Sequence, residues 1–287
     1  MGKNESTIKP RLTPALAAKL EKLKKNLVRL DRVLVAFSGG VDSTLLLKVA
    51  SDVLGPNVLA VIAGSETYPT REVEAARSLA RKLGVRHRYI HTCELQNPKF
   101  TSNSPERCYH CKRELFGRLK DIAKKGKIPF VLDGANCDDR LDFRPGGRAG
   151  AELGIRSPLK DAELTKDEIR TLSRRFGLPT WDKPSMACLA SRFPYGTRIE
   201  KKGLSQVRRA EDVLRDLGFG QLRVRHHGPI ARIEIERAEF PRLMNSDTRD
   251  KVVHGLKKLG YLYVTFDLEG YRTGSLNAIL KSKRSPK

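Results

Sequence analysis

Six consecutive residues, Ser38-Gly39-Gly40-Val41-Asp42-Ser43, carry the densest chemical signal in the sequence. They follow the apolar run Arg32-Val33-Leu34-Val35-Ala36-Phe37 and precede residues 44–54, which read as a helix closed by Gly55-Pro56. Two glycines let the main chain approach an anion closely and adopt a positive φ. The helix behind them offers unbonded N–H groups and the positive end of its dipole. Ser38 and Ser43 add hydroxyl donors, and Asp42 could hold Mg²⁺ or cap the helix. The ending is not the Gly-Lys-Ser/Thr of a Walker A loop. Phosphate binding is the expected role; the alternative is a tight turn with an N-cap.

Sulfur chemistry is the second signal. Arg107-Cys108-Tyr109-His110-Cys111-Lys112 sets two thiols at i and i+3, on one face of a helix start where polarity favours thiolate. A third thiol, Cys188, stands in Lys183-Pro184-Ser185-Met186-Ala187-Cys188-Leu189-Ala190-Ser191-Arg192, where Pro184 forms a bend and Arg192 supplies positive charge. Cys93 and Cys137 have no such setting and read as bystanders. Cys108 and Cys111 could be a redox pair, although no thioredoxin-like context surrounds them. With Cys188 and a histidine they could hold zinc. As three thiolates, Cys108, Cys111 and Cys188 could hold an iron–sulfur cluster with one open iron. Spacing leaves the last two readings open.

The elements that must position these residues alternate. Residues 16–30 repeat leucines at helical spacing. Strands are expected at 32–37, 58–63, 85–91 and 129–132, and helices at 44–54, 70–83, 108–124 and 165–176. Alternation of this kind means βαβ units and a mostly parallel sheet covered on both faces. In such sheets ligands bind beyond the carboxyl ends of the strands. Asp133-Gly134-Ala135-Asn136, with Asp138 and Asp139, follows a strand, so adenine and ribose are expected near Gly134 and Asn136; the bland alternative is a polar turn. Past Pro184 the texture changes to a helix at 204–217, paired strands at 223–227 and 231–236 around Gly228-Pro229, a helix at 248–259 and a strand at 261–267. The expected fold class is α/β: a parallel-sheet domain over residues 1–187 and a smaller α+β domain over 188–287.

With 287 residues the chain can bury a sizeable core without disulfides. Its longest apolar runs are too short to span a bilayer. The formal charge of +23 favours anionic partners, although a general basic surface would give the same number. Five cysteines and an amino terminus without an apolar leader fit a cytoplasmic, thiol-reduced location. Met1-Gly2 with Ser6 meets only the loose myristoylation pattern. The tail from Lys281 to Lys287 reads as short, basic and mobile.

The 38–43 string resembles the pyrophosphatase loop of the N-type ATP pyrophosphatases, or PP-loop group, which includes NAD, GMP and asparagine synthetases and several sulfur transferases. The fold this implies is the adenine nucleotide alpha-hydrolase type. Over about residues 16–276 the chain resembles the ATP-dependent sulfur transferases of LarE type. The resemblance rests on Ser38 to Ser43, Arg107 to Lys112, Asp133 to Asn136, Arg144-Pro145-Gly146, Ser157-Pro158-Leu159, Trp181 to Gly196, Arg223-Val224-Arg225, Ala231-Arg232-Ile233-Glu234 and Asp267 to Ser275.

That resemblance implies ATP cleavage between the α and β phosphates with Mg²⁺, and a phosphorylated pyridinium substrate, pyridinium-3,5-biscarboxylic acid mononucleotide. A carboxylate of that substrate becomes a thiocarboxylate on the way to a nickel-pincer cofactor. It makes Cys188 the sulfur source in the sacrificial form, whose Cβ–S bond breaks to leave dehydroalanine. It favours the form in which Cys108, Cys111 and Cys188 hold a [4Fe–4S] cluster carrying an extra sulfide. It also implies a homo-oligomer, a hexamer. Arg192, Arg223 and Arg225 are the candidates to receive the substrate's carboxylate and phosphate, since guanidinium pairs bidentately with both. Arg223 and Arg225 share one strand face. Glu211 and Glu234 could orient those arginines or bind a divalent cation, and Ser191 could donate to phosphate.

Two rivals remain at this level. A tRNA thiolation enzyme of the same loop class would suit the charge and the three thiols. No appended RNA-binding module is recognisable, however, and nucleic acid is not the expected partner. A nucleotide-binding regulatory protein without chemistry would keep Gly39 and Gly40 but need no thiol near the crevice.

Overall fold

The computed structural model describes residues 11–140, 145–184 and 187–277. The Met1-Gly2 and Ser6 pattern, Arg144, Ser185, Met186 and the basic tail lie outside the described residues. The chain divides into two compact units. The first comprises Met1–Ser65, Thr70–Thr92 and Cys108–Met186; the second comprises Glu66–Pro69, Cys93–Arg107 and Ala187–Lys287.

The first unit opens with α1 (Pro14–Val28). Thr13 caps it, accepting from the Leu16 N–H at 3.2 Å, and Pro14 occupies the first turn where its missing N–H costs nothing. Leu16, Leu20, Leu23 and Leu27 recur at helical spacing and are buried. There follow β1 (Val33–Ala36), α2 (Val41–Leu54), β2 (Val58–Gly64), α3 (Thr70–Lys82) and β3 (His87–His91). In β1, Val33 and Val35 pack with α1 and α2, whereas Leu34 packs into a separate apolar cluster on the opposite face. That alternation is why the sheet must be covered on both sides.

In the second unit α4 (Pro98–Thr101) lies in the Cys93–Arg107 segment. Next, α5 (Arg107–Lys125) supplies Leu115, Phe116 and Leu119 to the second face of the sheet. The first unit is completed by β4 (Phe130–Leu132), α6 (Pro145–Glu152), α7 (Pro158–Asp161) and α8 (Lys166–Arg175), which begins on a Thr165–Glu168 capping box. All four strands are parallel, in the order β3-β2-β1-β4. The expected α/β class is what the chain adopts. Because β1 and β4 are parallel neighbours, the loops after them emerge side by side.

The second unit holds α9 (Lys201–Asp216), β5 (Leu222–His227), β6 (Ile230–Ile235), α10 (Phe240–Met244), α11 (Ser246–Lys258) and β7 (Tyr263–Phe266). β5 and β6 form the expected hairpin, antiparallel around Gly228, and β7 adds in parallel to β6. Its core gathers Leu214, Phe219, Leu222, Val224, Ile233 and Leu256.

Two segments expected in the first domain belong to this unit. Backbone bonds hold them there: Leu189 N–H donates to the Thr67 carbonyl at 2.8 Å, Ile199 N–H to Thr101 at 2.9 Å, and Gly196 N–H to Asn103 at 3.1 Å. Among the described residues no helix is long and apolar enough to cross a membrane.

Candidate functional site

In the first unit the loop after β1 has the geometry expected of an anion-binding loop. Gly39 has φ of +69°, and a Cβ there would stand 2.9 Å from that of Ala76. Gly40 is the residue before α2 and supplies no side-chain cap, so the first-turn N–H groups of α2 are not covered by one. The Ser38 and Ser43 hydroxyls lie 3.1 Å apart, and Ser43 donates to the Gly40 carbonyl at 3.2 Å. Gly134, in the loop after β4, backs directly on α2: a Cβ there would meet the Ser43 nitrogen at 3.0 Å.

Asp42 does not cap its own helix. Its Oδ1 accepts from Asn136 Nδ2 at 3.0 Å, and its Oδ2 from the Lys166 ammonium. Asn136 is buried, with its Oδ1 accepting from the Asp138 N–H at 3.0 Å. Lys183 donates to the Gly39 carbonyl at 3.1 Å while pairing with Glu72 at 2.6 Å. Two lysines that sequence reasoning had assigned no role thus flank the loop. Lys183 opened a quoted motif and could have been suspected. Lys166 sits just after the Thr165 cap, and nothing in its spacing marks it.

In the second unit the predicted polar residues converge around Cys188. Arg192 is fully buried. Its Nε and Nη2 donate to the two oxygens of Glu211 at 2.7 and 3.1 Å. Its Nη1 donates to the carbonyls of Ala187 and Cys188 and to Ser191 Oγ, at 2.9, 3.2 and 2.9 Å. Ser191 Oγ in turn donates to the Cys188 carbonyl at 2.8 Å. Arg225 grips Glu234 bidentately at 2.9 and 2.8 Å and donates to the Ser191 carbonyl at 2.7 Å. Arg223 is buried with its guanidinium 5.1 Å over the Tyr271 ring. Burial first, and then Arg192 beside it, pulls that guanidinium down to about 10.

Glu211 and Glu234 are both paired with guanidinium groups, the first of the two roles expected of them. Glu211 also accepts from Arg215 at 2.7 Å and from the Val224 N–H at 3.3 Å. Burial alone would raise its carboxyl, but the charge and hydrogen bonds of Arg192, with Arg215 and Arg223, bring it below the usual carboxylate range.

Cys108 is exposed and Cys111 half-buried on the first turn of α5 in the first unit; Cys188 is half-buried in the second. Gly146 at the start of α6 packs on that turn, where a Cβ would stand 3.4 Å from the Cys108 carbonyl. Among the described residues no three His, Cys, Asp or Glu side chains are grouped so as to hold a metal ion.

The sequence pattern of the asparagine synthase family matches residues 18–124, which contain the loop. An uncharacterized protein of Synechocystis is 45% identical over 92% of this chain and 99% of its own length. The pyridinium-3,5-bisthiocarboxylic acid mononucleotide synthase of Lactiplantibacillus plantarum is 42% identical over 92% of this chain and 96% of its own. An uncharacterized protein of Methanocaldococcus jannaschii is 30% identical over 89% and 98%. Likeness of this degree along nearly the whole of both chains, in a parallel-sheet unit bearing the glycine cradle, makes this chain a member of the LarE-type ATP-dependent sulfur transferases of the PP-loop group.

Proposed function

We propose that the protein adenylates a carboxylate of pyridinium-3,5-biscarboxylic acid mononucleotide with ATP and converts it to a thiocarboxylate, a step toward a nickel-pincer nucleotide. The observation that carries this reading is its similarity to the pyridinium-3,5-bisthiocarboxylic acid mononucleotide synthase, joined to the glycine loop at Ser38 to Ser43. A carboxylate is a poor electrophile with a poor leaving group, and adenylation corrects both faults. A substrate carboxylate oxygen attacks the α-phosphorus, the bond to the bridging oxygen breaks, and pyrophosphate leaves. The main-chain N–H groups at the start of α2, with Lys166 and Lys183, would stabilise the charge that develops on it. Asp42 is the carboxylate that would share Mg²⁺ with the phosphates, the usual manner of holding that ion.

A sulfur nucleophile then attacks the acyl carbon and AMP departs. In the sacrificial course the Cys188 thiolate attacks; loss of its Cα proton and rupture of Cβ–S release the thiocarboxylate and leave dehydroalanine. In the course we favour, Cys108, Cys111 and Cys188 would hold a [4Fe–4S] cluster. Three thiolates, two of them on one helical turn, suit such a cluster chemically, and an additional sulfide bound at its open iron would be the sulfur transferred. Arg192 and Arg225 fix the main chain around Cys188. Arg223, buried among other guanidinium groups, would be relieved by the substrate's anion, with Ser191 as a further donor. We also propose a homo-oligomer, a hexamer by family resemblance, in a cytoplasmic setting.

Replacing Cys188 with alanine tests the reading. The expected outcome is pyrophosphate release that persists while thiocarboxylate formation is abolished; full sulfur transfer would refute it. Anaerobic purification with iron and sulfide analysis separates the two sulfur sources. Chain mass after turnover falls only in the sacrificial course.

A further inference from the structure

The turn that carries Cys188 is gripped from a second side, by a segment to which the reaction scheme gives no role. Within the second unit, Asn103 is wholly buried with φ of +54°, a left-handed conformation that asparagine tolerates better than most residues. Its Nδ2 donates to the carbonyls of Phe193 and Pro194 at 3.4 and 2.7 Å, and its own carbonyl accepts from the Gly196 N–H at 3.1 Å. Its Oδ1 accepts from Arg107 Nη1, and that same nitrogen donates to the Ala190 carbonyl at 3.0 Å. Arg107 is also buried, its guanidinium 5.8 Å from the centre of the Tyr195 ring. One amide and one guanidinium therefore hold the carbonyls at 190, 193 and 194, within six residues of Cys188. Arg192, described above, holds those at 187 and 188 from within the turn.

Local backbone preference does not explain this arrangement. Residues 187–196 contain one short 3₁₀ turn, Leu189–Arg192, and no strand, so few of their carbonyls find partners through regular structure. Buried carbonyls must be satisfied, and here the donors come from a part of the chain more than eighty positions earlier. A planar fork can hold two acceptors in fixed directions, which a lysine ammonium does poorly.

We infer that Arg107 and Asn103 are positioning residues for sulfur transfer: they set the path of the turn so that the Cys188 thiolate, whether it attacks the activated carboxyl carbon itself or would hold the cluster whose sulfide attacks, stands where transfer requires it. The inference rests on the reading of Cys188 as a thiol of the sulfur-transfer step. Displacement of a reacting group by about 1 Å can cost about 100-fold in rate, so the effect belongs to the second half-reaction and not to adenylation.

The test uses the full-length chain with Arg107→Met, Arg107→Lys and Asn103→Gly, the last keeping a residue at ease with positive φ. Two quantities are measured: thiocarboxylate formed per pyrophosphate released, and the rate at which iodoacetamide alkylates Cys188, followed by peptide mass. The ratio should fall about 10- to 100-fold in Arg107→Met and Asn103→Gly. It should recover in part in Arg107→Lys, and the alkylation rate should change alongside. Simple destabilisation lowers both products together and leaves the ratio where it was. A ratio equal to wild type in the folded variants overturns the inference; should Arg107→Met not fold, Arg107→Lys and Asn103→Gly decide it. Cys188→Ala, run in parallel, separates the two failures. Unimpaired transfer in that variant sinks the proposed function, whereas transfer lost there but normal in the other variants sinks only the positioning role.

Discussion

Glu211 shows what a single side chain can carry here. It lies on the buried stripe of α9, among Leu204, Val207, Ala210 and Leu214. In the sequence Glu211 is a candidate to orient the arginines or bind a divalent cation, with plain surface charge as the alternative, and its burial settles against the last. Its partner was not legible, because the choice between a cation and Arg192 depends on a turn that precedes the helix and folds back on it. Breaking a buried pair by removing one partner leaves the other charge uncompensated and costs about 3–5 kcal/mol. Glu211→Gln should lower the stability of the second unit by that order, measured by urea unfolding. Its carboxyl is held below the ordinary value of 4.5, so the stabilisation it gives is complete above that pH and is lost as the pH falls through the lowered value. A titration of the urea midpoint from neutral pH downward should show this acid limb in the wild type and its attenuation in Glu211→Gln. Identical limbs would mean that Glu211 is not the group responsible.

At the level of elements the long, periodic segments were readable, and their bounds shift by only a few residues in the structure. The short helices α4, α6, α7 and α10 were missed. They run from four to eight residues, too few for a 3.6-residue period to declare itself. The junction of β1 and α2 was readable for another reason: its glycines are required by geometry. Gly39→Ala forces an L side chain into a left-handed conformation, at roughly 1–2 kcal/mol, and drives its Cβ into Ala76. The KM for ATP in pyrophosphate release should rise about 10-fold or more, since 1.4 kcal/mol corresponds to a factor of ten. An unaltered KM would show that the cradle does not hold the nucleotide.

For the whole molecule the excess of positive charge proved less informative than the apolar surface. β7 is an edge strand; Tyr263 at its start is 62% exposed, and Leu262 and Leu268 on either side of it are 66% and 83% exposed. Exposed apolar edges invite pairing and are normally covered or charged. If the proposed assembly uses this edge, Leu262→Glu combined with Tyr263→Lys should reduce the particle mass in analytical ultracentrifugation while α9 and its core stay folded. An unchanged mass would move the interface elsewhere. Sequence reasoning could not see this edge, because which strand ends a sheet is decided by pairing order and not by composition.

The second unit is assembled from three separated stretches of chain, with residues 66–69 and 93–107 supplying acceptors that the later stretch needs. A fragment starting at residue 187 would lack the donors and acceptors that shape the Cys188 turn, so severing the chain there should cost that turn its form even though every residue of it is retained.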